Sequence, residues 1–419
     1  MRSMRGILHA KHAGAMALVG FNKWLVFAAV SVAFCFLNLA TFTSLGVVLF
    51  TMAGELHWSM TQAFFSFSLL GIACGLSSPL SEISLRRFGG RTTLCAGAAL
   101  LCLGFVLAAH SDGIPMFYSA MILLGIGFSL AGNVPGVALI AAWFEGASSR
   151  TIGYYLMLGA VGGAFGPPVV EAIVRERGWR GHWELMSTIA LVIGIVCLFW
   201  VRDRAAETSA ETEQKAETSD WTPREAMLTP QFMLVAAAMA ITMFCITTNS
   251  SVGFSHLVKL GASPVVAAQV LSVIAITATL IKGVSGKICE MISSPSVLAL
   301  GLAVQAVGNL ILAFASTPAL QYSAAMVYGL GWGFSYVAGT VVLLDYYGRA
   351  TGARILSVVW LITTVAAVGP ASAGWIADQT GSFSLIFLIY AGALAVLAVP
   401  IWLMRQPTAD KHPLSVGVS

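Results

Sequence analysis

Of 419 residues, 58% are apolar and only 10% are charged; 22 Lys and Arg against 18 Asp and Glu leave a net charge of +4, and the mean hydropathy is +0.86. Soluble domains carry roughly 25% charged residues. This composition excludes a soluble enzyme, a disordered chain and a nucleic-acid binder, and describes a protein whose solvent is mostly lipid.

In chain order, the first 21 residues hold Arg2, Arg5, His9, Lys11 and His12 ahead of any long apolar run. They lack the charged, apolar and small-residue succession of a cleaved leader and read as a cytoplasmic tail. Twelve apolar runs follow, near 24–52, 57–81, 92–110, 115–143, 151–171, 184–201, 230–255, 264–288, 296–315, 320–344, 355–377 and 383–404. No strict alternation occurs, so the runs are helices rather than barrel strands, because lipid offers the backbone no hydrogen-bond partner. The expected class is an all-α membrane protein of twelve spans.

With twelve spans both termini share a side. Of the cations, Arg175, Arg177, Arg180 and Lys259 fall on the opposite side, Lys282 lies within a span, and the remaining seventeen fall with the termini. Cytoplasmic loops are enriched in Lys and Arg, which puts both termini in the cytoplasm. The segment from Arg202 to Arg224 is polar, nearly free of large apolar residues, and reads as a flexible cytoplasmic linker. The expected organisation is a tail at 1–21, a six-helix bundle at 22–201, a linker at 202–228, a second six-helix bundle at 229–405 and a tail at 406–419.

The two halves repeat. Gly75-Leu76-Ser77 with Glu82 matches Gly283-Val284-Ser285 with Glu290 at an offset of 208. Gly125-Ile126-Gly127 matches Gly329-Leu330-Gly331 at 204, as Arg150 matches Arg354, and Gly166-Pro167 matches Gly369-Pro370 at 203. Parallel six-helix repeats with a midplane site are a transporter architecture.

Chemistry-bearing residues are few inside the spans. Lys282 is the one ionisable residue placed well within a run, and such a charge faces a cavity or a partner. No acid lies within a span to pair with it, so the substrate would supply the anion. Two other readings stay open: Lys282 snorkels to the cytoplasmic face, since Glu290 is only eight residues away, or it carries a proton. Asn38, Asn133 and Asn249 are candidate lining amides, while Asn309 reads as structural. In span 10, Tyr328, Trp332 and Tyr336 recur at every fourth residue and form a candidate aromatic wall; Trp360, Tyr154 and Tyr155 are further aromatic candidates. Arg86, Arg87, Arg91, Arg150, Arg349 and Arg354 are topology determinants, and pairs with Glu82, Glu145 or Asp345 could form a cytoplasmic gate. The seven cysteines read as apolar packing residues. The histidines, His256, His57 and His110 near outer span ends among them, show no metal-ligand spacing, so no metal or cofactor is expected. No paired carboxylates, His cluster or activated Ser indicates an enzyme.

The loop Arg87-Phe88-Gly89-Gly90-Arg91, the Trp143-Phe144 stretch with Arg150 and Gly166-Pro167-Pro168, and Gly369-Pro370 through Gly374-Trp375-Ile376-Ala377-Asp378 resemble the major facilitator superfamily of secondary transporters. Its usual acid before the loop is displaced here to Glu82. Trp24-Leu25-Val26, Leu45-Gly46-Val47, His57-Trp58-Ser59 and His256-Leu257-Val258 with Gly261 and Pro264 resemble its branch of monocarboxylate porters and oxalate–formate exchangers. The resemblance implies alternating access by a monomer, in a bacterial inner membrane. It also implies that Lys282, at the position of the branch's helix 8 arginine, binds the carboxylate of a small organic anion, with H+ or a counter-anion as co-substrate. The branch's aspartate four residues earlier is Ala278 here, and Thr43 and Ser44 occupy the region of its helix 1 lysine. Uniport, exchange and symport of a protonated acid therefore stay open. The alternative is efflux of a lipophilic or neutral compound, with Lys282 structural.

Overall fold

The computed structural model describes residues 23–144, 148–203 and 221–407. Among these residues there is no strand. Ten helices are long and apolar enough to cross a membrane. One of them, Thr151–Trp200, turns at Gly178 (φ +70°) and makes two passes. Met60–Leu76 falls short on its own, but the helix resumes after Ser77. The twelve expected spans are thus recovered.

We label them in chain order. α1 is Lys23–Glu55. α2 is Met60–Leu76 with its continuation to 88, and α3 follows the turn at Gly89 (φ +82°) to 109. α4 is Ile114–Trp143, broken at Gly132. α5 spans 148–177 and α6 spans 179–200. After a short helix, Pro223–Met227, come α7 (Pro230–Lys259), α8 (Pro264–Met291), α9 (Ser294–Phe314) and α10 (Pro318–Tyr347). α11 joins Arg349–Thr363, a tight turn Thr364–Val368, and Gly369–Thr380; α12 is Ser384–Trp402. The starts are written in the sequence: α7, α8 and α10 each open Thr-Pro or Ser-Pro, with the Thr229, Ser263 and Thr317 hydroxyls accepting from the backbone N–H three residues on.

The described residues form two compact units, 23–58 with 69–203, and 59–68 with 221–407. Each is held by close helix contacts at small residues, and these contacts repeat at a constant offset of 204. In the first unit a Cβ on Gly125 would come within 2.5 Å of Leu70 O and within 2.7 Å of Ala73; in the second, a Cβ on Gly329 would come within 2.8 Å of Ile274 O and of Thr277. Gly104 meets Leu124 as Gly308 meets Tyr328, and Gly127 meets Leu101 as Gly331 meets Gln305. Ser81 donates to Ser129 O at 2.9 Å, and Ser285 donates to Gly333 O at 3.4 Å. This corrects the register expected at α2 and α8. The partner of Ser285 is Ser81, not Ser77, and the position matching Lys282 is Ser78. Gly-x-Ser is too short a pattern to fix a phase, whereas interhelical contact does so directly.

In the first unit, α1 widens at Leu39–Thr43 into a turn holding one extra residue, with Ser44 Oγ donating to Leu39 O at 2.8 Å. The α5–α6 turn at Gly178 is shorter than expected, because the helices run on past 171 and begin before 184. Two of its three cations are paired: Arg180 with Asp112 at 3.0 Å, and Arg175 with Glu171 at 3.4 Å. Glu171 is only 7% exposed, so one carboxylate is buried in α5 after all. In the second unit, the Asp378 carboxylate accepts the backbone N–H groups of Met60 and Thr61, each at 2.8 Å, and the Thr61 hydroxyl at 2.5 Å. It thereby caps the first turn of α2 from α11.

Of the expected linker, 204–220 lies outside the described residues, as do the tails 1–21 and 408–419. What is described is ordered. Thr222 forms a reciprocal capping box with Glu225, and Asp203 and Arg202 dock on the first unit, as set out below.

Candidate functional site

The site is built from α8 and α10. Gly329 and Gly333 bring α10 against α8, Gly333 so closely that a Cβ there would lie 2.6 Å from Ile281. Trp332 and Tyr336 therefore flank the level of Lys282. The Lys282 ammonium sits 4.2 Å from the Trp332 ring centroid and 4.4 Å from that of Tyr336. Tyr336 in turn contacts Trp360 of α11, centroids 5.4 Å apart. Lys282 makes no ion pair among the described residues. Its Nζ is held between two ring faces.

Magnitudes explain how the charge is tolerated. A lysine in mid-membrane costs roughly 3 kcal/mol on insertion scales, and a cation–π contact at a half-buried site returns about 1 kcal/mol. Two rings offset most of the cost, yet neither supplies a negative charge. The ammonium has three donors, and ring faces occupy two directions. Nearby polar atoms are also unspent. Among the described residues Trp332 Nε1 is buried without a hydrogen-bond partner, as is Thr242 Oγ1, and Thr242 lines a small recess with Met239, Met243, Ser335, Tyr336 and Trp360. Thr242 escaped the sequence reading; its spacing of seven residues from Asn249 on α7 was the available signal.

The other candidates are dispersed. Tyr328 is fully buried against Gly308 of α9 and does not join Trp332 and Tyr336. Asn249 is 5% exposed and lies beside Gly253, where a Cβ on that glycine would also meet Leu271 of α8, about 16 Å of helix from Lys282. In the first unit Asn38 donates to Phe34 O of its own helix at 2.9 Å, and Asn133 is exposed just after the α4 break rather than buried. Tyr155 is sealed in and donates to Gly132 O at that break, whereas Tyr154 is exposed. His256 is buried on Leu312 O at 2.8 Å. His182, which sequence reasoning passed over, is buried 3.1 Å from Ser44 Oγ. No cluster of metal-ligating side chains occurs among the described residues.

At the arginine-rich end, Glu82 pairs, among the described residues, with Arg86 of its own helix alone, at 2.6 Å and in an exposed position. Arg87 lies over the Phe88 ring at 5.6 Å. The acid that organises the loop is Asp203. Its carboxylate accepts from Gly90 N at 2.6 Å and Arg91 N at 3.0 Å, capping α3, while Trp143 Nε1 donates to Arg202 O at 2.9 Å. Gly89 is required twice, by its positive φ and because a Cβ would lie 2.5 Å from the Asp203 carboxylate. Arg354 is exposed and makes no ion pair among the described residues. Ser294 donates to Asp345 at 2.6 Å. Glu145 and the side chains of Arg150 and Arg349 lie outside the described residues.

Two repeated helical units, with a cation exposed to aromatic faces inside one of them, define a multi-pass membrane transporter. Residues 31–368 and 260–418 match the Major Facilitator Superfamily, and the chain belongs to that family. It is 24% identical to the uncharacterized MFS-type transporter YhjX of Escherichia coli, over 74% of this chain and 77% of that one. It is 26% identical to monocarboxylate transporter 13 of Rattus norvegicus (77% and 75%) and 26% identical to the hexuronate transporter of Bacillus subtilis (82% and 85%). Among solved structures, the nucleoside transporter NupG shares the fold with a TM-score of 0.72 at 15% identity (91% and 98%), and the D-xylose–proton symporter with 0.68 at 16% (90% and 97%). These relatives and structures are transporters, and the chain is not an enzyme.

Proposed function

We propose that the chain carries a small organic anion of the monocarboxylate class across the membrane by alternating access. The observation that supports this reading is Lys282: one intramembrane cation without an acidic partner among the described residues, its Nζ on ring faces and one donor direction open. A single charge matches a single carboxylate. Thr242 and Trp332 would offer neutral hydrogen bonds, and Tyr336 with Trp360 an apolar wall. Asn249, Asn38 and Tyr328 become supports of the two units rather than direct contacts, while the exposed Asn133 stays a candidate lining amide. The relatives named for monocarboxylates and for hexuronate handle carboxylates, which favours the same class. Both termini in the cytoplasm accords with the cation distribution; a monomer in a bacterial inner membrane is the arrangement the family resemblance favours.

A thermal-shift panel of mono- and dicarboxylates and neutral analogues, on wild type and Lys282→Gln, tests it. A monocarboxylate at about 100 Kd stabilises the folded state by roughly 2.7 kcal/mol, a rise of a few degrees that the folded mutant loses. Equal stabilisation of both forms by neutral compounds would instead make Lys282 structural and the protein an efflux carrier.

A further inference from the structure

A carrier must do two things with a half-buried intramembrane cation: bind the anion, and return without it. Lys282 has no carboxylate to neutralise it on the return, since Ala278 occupies the preceding turn of α8 and no acid pairs with it among the described residues. An uncompensated charge in the occluded, water-poor form raises the barrier to that step. A carrier so built would move substrate only in exchange for substrate.

The ring contacts change this expectation. Trp332 and Tyr336 present their faces to the ammonium at 4.2 and 4.4 Å. Both lie on α10, which is packed on α8 within one compact unit through Gly329 and Gly333. Where alternating access proceeds by movement of whole repeats, groups within one repeat stay together through the cycle. The rings therefore accompany Lys282 in every state, which a counter-charge on another element need not do.

We infer that the Trp332 and Tyr336 faces stand in for the substrate's charge when the site is empty, so that the unloaded carrier reorients and the protein catalyses net flux rather than obligatory exchange. This rests on Lys282 binding the carboxylate. The ring faces do the work, not the indole N–H or the phenol O–H, so phenylalanine substitutes for either residue and leucine does not.

The test uses the full chain in liposomes. Acetate, L-lactate, pyruvate, benzoate and D-glucuronate, each radiolabelled, are screened for counterflow that Lys282→Gln abolishes, and the strongest becomes the probe. The readout is the ratio of net efflux into substrate-free buffer to counterflow, which is insensitive to a general loss of binding. In wild type the two rates are expected within about tenfold of each other. In Trp332→Leu/Tyr336→Leu the ratio falls at least about tenfold, and in Trp332→Phe/Tyr336→Phe it recovers to near the wild-type value. The single leucine variants give intermediate ratios and serve if the double variant does not fold.

Wild type that exchanges but shows no net efflux overturns the inference and leaves the organic-anion reading standing. A ratio unchanged by leucine overturns it too, because the charge is then disposed of otherwise, for instance by loss of a proton. So does a phenylalanine pair as defective as the leucine pair, which would make hydrogen-bond donation rather than the ring faces decisive, and so does counterflow lost in both single leucine variants, which would make the rings as necessary to the loaded carrier as to the empty one. If no carboxylate shows Lys282-dependent counterflow, the inference falls together with the organic-anion reading.

Discussion

The contrast between Glu82 and Asp203 shows how little a residue's neighbours in sequence reveal of its work. Glu82 has the spacing of a gate acid, but its one ion pair is exposed and local, and such pairs contribute about 0.5 kcal/mol or less. Asp203 sits in what reads as an unstructured linker, yet it closes two backbone bonds 113 and 112 residues away. Asp203→Ala is therefore expected to lower stability by about 1 kcal/mol, the usual worth of a helix cap, and Glu82→Ala by less than half of that, as read from melting in detergent. Lys282 was legible because hydropathy alone isolates a charge in an apolar run. Its ring partners were half legible. Tyr328, Trp332 and Tyr336 share spacing, but every four residues on an α-helix overshoot a full turn by about 40°. Over eight residues that drift is enough to send Tyr328 into the α9 contact while Tyr336 faces Lys282.

At the level of elements, span number and helix starts follow from composition and from Thr-Pro and Ser-Pro pairs. The ends where one helix is finished by another do not. The first turn of α2 is capped by Asp378, more than three hundred residues on, and Gly374 leaves room for it, since a Cβ there would come within 2.5 Å of Met60 O. Phe64 meets the Phe383 ring edge-on at 5.6 Å and Ser68 accepts from Ala371 N, so the start of α2 is an integral part of the second unit. Asp378→Ala should loosen this turn by about 1 kcal/mol. A cysteine at position 60 would then react several-fold faster with a hydrophilic maleimide than in the Asp378 background, whereas an unchanged rate would mean that ring packing alone holds the turn.

Across the whole molecule, the repeat is more regular in contact than in sequence. Three glycine contacts and one serine bond recur at a single offset of 204, though the motifs taken alone suggest 203, 204 and 208. Side chains drift, while the places where two backbones nearly touch tolerate only small residues. The serine bonds give a direct check. Ser81→Ala should cost about 1 kcal/mol and Ser285→Ala less, since its interhelical bond is longer and its hydroxyl also donates to Ile281 O at 2.6 Å. The two costs should add to within about 0.5 kcal/mol in denaturation, because the sites share no partner.

The wide turn in α1 has a consequence for the length of that helix against its neighbour. α1 meets α5 at three glycines: Gly159 at Phe34, Gly162 at Cys35 and Gly166 at Thr43. From first to last, α5 spends seven residues and α1 spends nine. Two regular helices running side by side could not keep both ends of that match in step. The extra residue takes up one of those two and acts as a clutch: it lets the part of α1 before 39 and the part after 43 each choose its own phase against α5. The second phase is the one that turns Ser44 to His182, a bond that a uniformly wound α1 would have no way to reach while keeping Phe34 at Gly159.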